Sequence, residues 1–405
     1  MSKETTIAKG RLISLDVLRG LTIAGMIIVN DPGSWGHVYG PLLHADWHGI
    51  TPTDMVFPFF LYIVGVSIAL AYSRRMQSQT PRPMMIRKIF RRSLTIFALG
   101  LFLWLFPQFD FGGIRFPGVL QRIALVFLAC ALLFLYTDWK MQLRIGIGLL
   151  LTYWLLLCAV PVPVDEVIRQ ALASGQVKAQ AGLLDIGELQ SLSDGWIAAN
   201  LEPGTNLEAW LDRKLIPGRL WQYTWDPEGL LSTLPSIATG ISGMLVGHLI
   251  RSKKLSQNQM LIWLFVAGFA SYVLGCIWDW VFPINKNLWT SSYVLYTSGL
   301  ATLSLAASIW FVDVLGKRNV LTWLGVVFGA NAIVAYVLHG TLGNLFLINF
   351  GSEAQPLMIK SWFFEGLVGL GMAPKMSSLL WALTYTGICF LPVWWMYKKR
   401  VFVKI

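Results

Sequence analysis

The chain has 405 residues, 55% of them hydrophobic and only 13% charged, whereas soluble domains carry about 25% charged residues. Apolar runs of about 20 residues, the length that crosses a bilayer, replace the missing charge; an ordinary soluble domain is excluded, and the lack of period-2 alternation excludes an outer-membrane barrel. The net charge of +11 reads as membrane orientation and not as a nucleic-acid surface.

The pattern predicts an all-α polytopic membrane bundle of about ten spans, at roughly 12–31, 52–73, 89–107, 118–136, 143–160, 229–250, 259–281, 291–312, 320–341 and 377–397. One domain over residues 1–405 is expected, with 161–228 as its soluble insert. The first apolar segment holds Asp16 and Arg19 and has no small-residue cleavage site, so it is expected to stay as a helix. Basic residues crowd alternate loops: Lys3, Lys9 and Arg11, then Arg74 to Arg92, Lys140 and Arg144, Arg251 to Lys254, Lys317 and Arg318, and Lys398 to Lys404. Both termini are therefore expected in the cytoplasm.

Within the first span, Asp16, Arg19 and Asn30 share a face. Arg19 to Asn30 is eleven steps, three turns within about 20°, and Asp16 lies within roughly 60° of both. Such a face either lines a polar passage or holds an i,i+3 ion pair at one end and a helix cap at the other. The loop that follows has no Lys or Arg between Asn30 and the second span and is expected outside.

That loop carries His37, His44 and His48. No third ligand stands at metal spacing near His44 and His48, so no metal is expected. TPTD, from Thr51 to Asp54, reads as a helix start with Thr51 as N-cap, Pro52 at the first position and Asp54 at the third; this capping role accounts for Asp54. A neutral imidazole at His44 suits a general base near neutral pH, and Asn30 could orient it or a substrate carbonyl. A histidine in an aromatic loop serves structure as readily as catalysis, and the residues alone leave both open.

The insert at 161–228 is too short for a sizeable core of its own and is expected to form a cap of short helices against the membrane domain. Residues 342–376, with the amphipathic SWFFEGLVGLG, read as an interfacial or re-entrant piece. Cys130, Cys158, Cys276 and Cys389 all fall in apolar spans and read as packing residues.

Several stretches then carry a resemblance in order along most of the chain. LDVLRG (15–20), HADWHGITPTDMVFPFFLYIVG (44–65), PGVLQR (117–122), DPEGLLSTLPSI (226–237), PINKNLWTSSYVL (283–295) and GANAIVAYVLH (329–339), with the Asn30 to His44 spacing, resemble the heparan-α-glucosaminide N-acetyltransferase family of transmembrane acyltransferases. The chain looks like a bacterial stand-alone membrane core without the luminal N-terminal domain of lysosomal members. The resemblance implies acetyl-CoA as acetyl donor from the cytosolic side and a glucosamine amine as acceptor on the other. It implies His44 as the active-site histidine with Asn30 beside it; direct transfer with His44 as base is preferred over an acetyl-histidine. Asp226 and Glu228 are then candidates to hold the sugar, or to pair with a helix dipole. Gln121 and Arg122 become candidate substrate residues, an arginine there needing an anionic or carbonyl partner. So do Lys286 and Trp289, whose indole either stacks on a sugar or sits in the interfacial belt, and Asn331 and His339, with a packing hydrogen bond as the alternative. Arg19, with Asp16, is the candidate for CoA. The expected partners are acetyl-CoA, an amino sugar, the bilayer and a second copy of the chain, in a bacterial inner membrane, with no nucleic acid. An O-acyltransferase of surface glycans and a sugar transporter remain the alternatives.

Overall fold

The computed structural model describes residues 12–173, 195–350 and 358–403. Lys3, Lys9, Arg11 and Lys404, residues 174–194 of the insert and residues 351–357 lie outside the described residues.

The protein is an all-α polytopic membrane protein. Its long helices are α1 (Ile13–Asn30), α2 (Val56–Gln77), α3 (Arg82–Leu105), α4 (Val119–Tyr136) and α5 (Trp139–Ala159). The insert contributes β1 (Val162–Pro163), α6 (Glu166–Ala173), β2 (Trp196–Ile197) and α7 (Leu207–Leu215). Then come α8 (Thr233–Ile250), α9 (Gln257–Asp279), α10 (Ser291–Ser308), α11 (Val320–Ala330), α12 (Ala332–Phe346), α13 (Ile359–Gly369) and α14 (Pro374–Lys398). Among the described residues eight helical segments are long and apolar enough to cross a membrane. α3 falls outside that set because each of its 18-residue windows holds at least three of Arg82, Arg87, Lys88, Arg91 and Arg92.

The ninth expected span is not one straight helix. α11 and α12 meet at 84° across Asn331, whose buried side chain bonds to other backbone. α11 crosses α1 where both are stripped of side chain: a Cβ on Gly20 would stand 1.8 Å from the Gly325 carbonyl oxygen. Small residues at such crossings let backbones touch, the usual device for packing helices in lipid. α1 begins where the Asp313 carboxylate accepts from Ile13 and Ser14 N–H at 3.2 and 3.1 Å, an anion set against the positive helix end.

The start of α2 follows the sequence reading. A 3₁₀ turn, Pro52–Met55, leads into α2, and Thr51 with Asp54 forms a capping box. The insert's antiparallel β1–β2 pair and α7 pack Val162, Ile197 and Leu207 against Tyr153 and Leu157 of α5 and against Phe282. The insert also reaches the His44 loop: Trp47 Nε1–H donates to the Leu201 carbonyl at 2.9 Å and meets Trp225 edge-on.

Candidate active site

At the Asn30 end of α1, the His44 loop and the loop carrying Lys286 are tied together. Gly49, at φ +103°, makes a turn that side-chain-bearing residues rarely adopt, and its N–H donates to Ile284 at 2.8 Å. This sets His44 between two charged groups. His44 Nδ1 stands 2.6 Å from Asp54 Oδ1. Asp54 Oδ2 accepts from Ala45 N–H at 3.0 Å and Thr51 N–H at 2.9 Å. The capping carboxylate is therefore also the imidazole's anchor. With Nδ1–H given to Asp54, the lone pair is left on Nε2.

Lys286 Nζ lies 3.2 Å from Nδ1 and 3.1 Å from Nε2. A point equidistant from the two ring nitrogens lies off both lone-pair axes, so the ammonium rests beside the ring and leaves Nε2 open in its plane. Burial pushes the Lys286 pKa down, against the pull of Glu228 and Asp54. Asn30, His44, Lys286 and Glu228 line one cavity of about 80 Å³, walled by Phe57, Phe60, Ile123 and Tyr336.

Glu228 shares Arg115 with Asp226. Arg115 grips Asp226 bidentately, Nε to Oδ2 at 2.7 Å and Nη2 to Oδ1 at 2.6 Å, and Nη2 also donates to Glu228. Asp226 is 2% exposed and accepts from Trp221 and Glu228 N–H, so both its oxygens are engaged. Glu228 is the member of DPEG that reaches the cavity. Arg122 is buried; its Nη2 donates to the Gly229 carbonyl at 3.0 Å and to Ser232, and its guanidinium lies 5.3 Å from the Trp289 ring. This is the carbonyl partner that an arginine in a span requires. Trp289 is 1% exposed and donates to Thr239 at 3.1 Å, so it sits in the core and presents no open stacking face. Gln121 is buried against Gly100 and Gly118. Neither Gln121 nor Arg122 lines the His44 cavity.

Toward the other end of α1, Asp16 and Arg19 form the i,i+3 pair at 3.0 Å, and Arg19 also donates to Ser67 at 2.9 Å. The pair lines a second cavity of about 520 Å³, with Arg75, Arg92, Tyr72 and Phe402. Three guanidiniums face it, and Asp16 is the one carboxylate among the described lining residues. Phe60, Ile123 and Tyr336 line both cavities. The polar face of α1 thus runs past two chambers that share a wall of three side chains.

Asn331 and His339 do not join the His44 cavity. Asn331 sits in the α11–α12 break, and His339 Nδ1 pairs with Asp31 Oδ2 at 2.7 Å. His48 faces Asn285 at 3.3 Å, its pKa lowered by burial against the pull of Asp279, and His37 stacks on Phe364. The four cysteines are free. Sequence reasoning missed the His44 contact of Asp54, and it missed Arg115, Arg75 and Arg92 as site residues. Arg115 had a signal, since it is a basic residue in a connection where alternation predicts none.

A model of the heparan-α-glucosaminide N-acetyltransferase catalytic family matches residues 11–167, which hold Arg19, Asn30, His44, Asp54 and Arg115. The mouse heparan-α-glucosaminide N-acetyltransferase is 27% identical over 447 residues, covering 98% of this chain and 60% of its own length. The human one is 28% identical over 388 residues, 83% of this chain and 54% of its own. The chain is similar to heparan-α-glucosaminide N-acetyltransferases along most of its length. It spans little more than half the length of these relatives, and Lys286, Glu228 and Tyr336 lie beyond the part that the family model matches.

Proposed function

We propose that the protein is a transmembrane N-acetyltransferase that moves acetyl from cytosolic acetyl-CoA to the amine of glucosamine, or of a glucosamine-ended saccharide, across the membrane. The observation that carries this reading is the pair of cavities meeting at Phe60, Ile123 and Tyr336. Three guanidiniums suit the phosphates of a CoA. The other chamber has a carboxylate-anchored imidazole, a lysine and Glu228 where an amino sugar would dock. In this reading the basic loops, both termini and the arginine cavity face the cytoplasm of a bacterium, and the protein works in its inner membrane as a homodimer.

The reaction then runs by direct transfer. Glu228 holds the acceptor's ammonium, and His44 Nε2 takes one proton from it. The freed amine lone pair attacks the thioester carbonyl carbon, whose oxygen gathers negative charge beside Lys286 and the Asn30 amide. The C–S bond breaks, an amide remains, and the CoA thiolate leaves with a proton. Asp54 fixes the tautomer that keeps Nε2 a base.

Reconstitution in liposomes tests this. Labelled acetyl-CoA on one face and glucosamine on the other are expected to yield labelled N-acetylglucosamine, and Arg92→Gln is expected to raise the KM for acetyl-CoA alone. No product from wild type, or full activity in His44→Ala, would sink the reading. Label trapped on His44 would replace direct transfer with an acetyl-enzyme.

A further inference from the structure

The end of α14 folds back into the bundle. Arg400 adopts φ +56°, uncommon for a residue with a side chain. Arg400 and Val401 N–H donate to the Tyr397 and Met396 carbonyls at 3.0 and 2.9 Å, closing the helix in the manner of a left-handed C-cap. The reversal delivers Val401–Val403 to the α11–α12 break. There the Asn331 amide donates to the Val401 carbonyl at 2.9 Å, and its oxygen accepts from Val403 N–H at 2.9 Å. Asn331 is 1% exposed, so this two-bonded clamp is shielded from competing water.

Phe402 lies between the two clamped residues. Its ring stands edge-on to Tyr397 at 6.2 Å, and the residue, 37% exposed, lines the arginine cavity beside Val403. An apolar aromatic side chain in the same cavity as Arg19, Arg75 and Arg92 matches a ligand with a flat base attached to phosphates. Guanidiniums serve the anions, and a phenyl ring serves the π-face of the base.

We propose that Phe402 stacks on the adenine of the acyl-CoA donor, and that Asn331 is the positioning residue that holds this strap in the cavity wall. The inference deepens the acetyl-CoA reading and depends on it. It assigns Asn331 to the donor chamber and gives the α11–α12 break a purpose: the break frees the Asn331 side chain from the helix to clamp the strap.

The test uses the full chain in liposomes with two donors. One is acetyl-CoA, and the other is S-acetyl-4′-phosphopantetheine, which keeps the thioester and one phosphate but lacks the nucleotide. Phe402→Ala is expected to raise the KM for acetyl-CoA roughly 10-fold, within the range for one base–aromatic stack, and to leave the kinetics with the truncated donor unchanged. Phe402→Trp is expected to restore the wild-type KM, and Asn331→Ala to reproduce Phe402→Ala. Donor discrimination separates stacking from damage to the fold, which would hurt both donors alike. An unchanged KM for acetyl-CoA in Phe402→Ala, or an equal rise for both donors, overturns the proposal. If Arg92→Gln still raises the acetyl-CoA KM in that case, the strap assignment alone has failed; if wild type uses neither donor, the acetyltransferase reading has failed with it.

Discussion

Two carboxylate–histidine pairs stand toward the same end of the bundle, and their separations hardly differ, although only the His44–Asp54 pair is aligned as a hydrogen bond. Asp54 meets His44 at 2.6 Å, and Asp31 meets His339 at 2.7 Å. Their surroundings differ sharply. Asp54 is 1% exposed and fixed by backbone donors, while the His44 side chain is 40% exposed and faces a cavity. In the other pair both partners are mostly enclosed, at 13% and 18%, and Tyr385 stands edge-on to the His339 ring at 6.0 Å. A rigid carboxylate with an accessible imidazole can do acid–base work, because the second nitrogen is reachable. An enclosed pair between helices can hold structure together, but it has nowhere to put a substrate.

The largest effect expected from this contrast is on kcat. His44→Ala is expected to lower it by about 10²–10⁴-fold, the usual worth of a positioned general base. Asp54→Asn is expected to fall in the same range, because an amide NH₂ facing Nδ1 favours the tautomer whose proton sits on Nε2. Asn retains an oxygen that can accept from Thr51 N–H, so the capping loss should stay near 1 kcal/mol. A thermal-shift measurement beside the turnover assay separates the two losses. An Asp54→Asn enzyme with normal kcat would show that the carboxylate is only a cap.

That double duty also shows what the sequence could and could not disclose. Nine of the ten expected spans are long helices among the described residues, legible because apolar runs of bilayer length are local features. The Thr51–Asp54 cap was legible for the same reason. The Asp54–His44 contact was not, since a 3₁₀ turn and a loop must first fold to bring residues ten apart face to face. Arg75 and Arg92 hid among the many basic residues that set topology; only helix packing selects the two that reach a cavity. Trp289 misled in the other direction, because DPEG-like and PINK-like motifs mark places in a fold without saying which side chains stay open. The kink at Asn331 was not legible either, since one asparagine in an apolar run ends a helix only where other backbone takes up its side chain.

The acids of the insert give a third environment against which to set Asp54. Burial raises the Asp212 carboxyl to about 7, opposed by the Leu230 N–H, and raises Glu208 well above the usual carboxylate range, with Asp212 adding to the rise. A folded-state pKa above the unfolded value means that the folded state binds the proton more tightly. The stability this supplies is complete below the unfolded pKa near 4 and is lost as pH rises through about 7. The melting temperature is therefore expected to fall by several degrees between pH 5 and pH 8, and Asp212→Asn is expected to flatten that slope. A slope unchanged in the variant would mean that Asp212 is ionised in the folded insert, as Asp54 is taken to be in its capping box.

The smallest expected effect on catalysis is the one that most directly tests the comparison. His339 lines neither cavity, so His339→Ala is expected to leave kcat within about 3-fold, far below the loss of a general base. Its effect should appear in stability instead. Removing the imidazole leaves Asp31 largely enclosed and dependent on its electrostatic attraction to Lys360, whose pKa burial holds down against the pull of Asp31. A carboxylate left short of a partner costs about 1–3 kcal/mol, and its 18% exposure argues for the lower end. Asp31→Asn together with His339→Ala is expected to recover part of that loss, because the coupling between neighbours disappears when both are gone. A His339→Ala protein that melts normally yet turns over as slowly as His44→Ala would place the second pair in the chemistry and erase the distinction between access and enclosure.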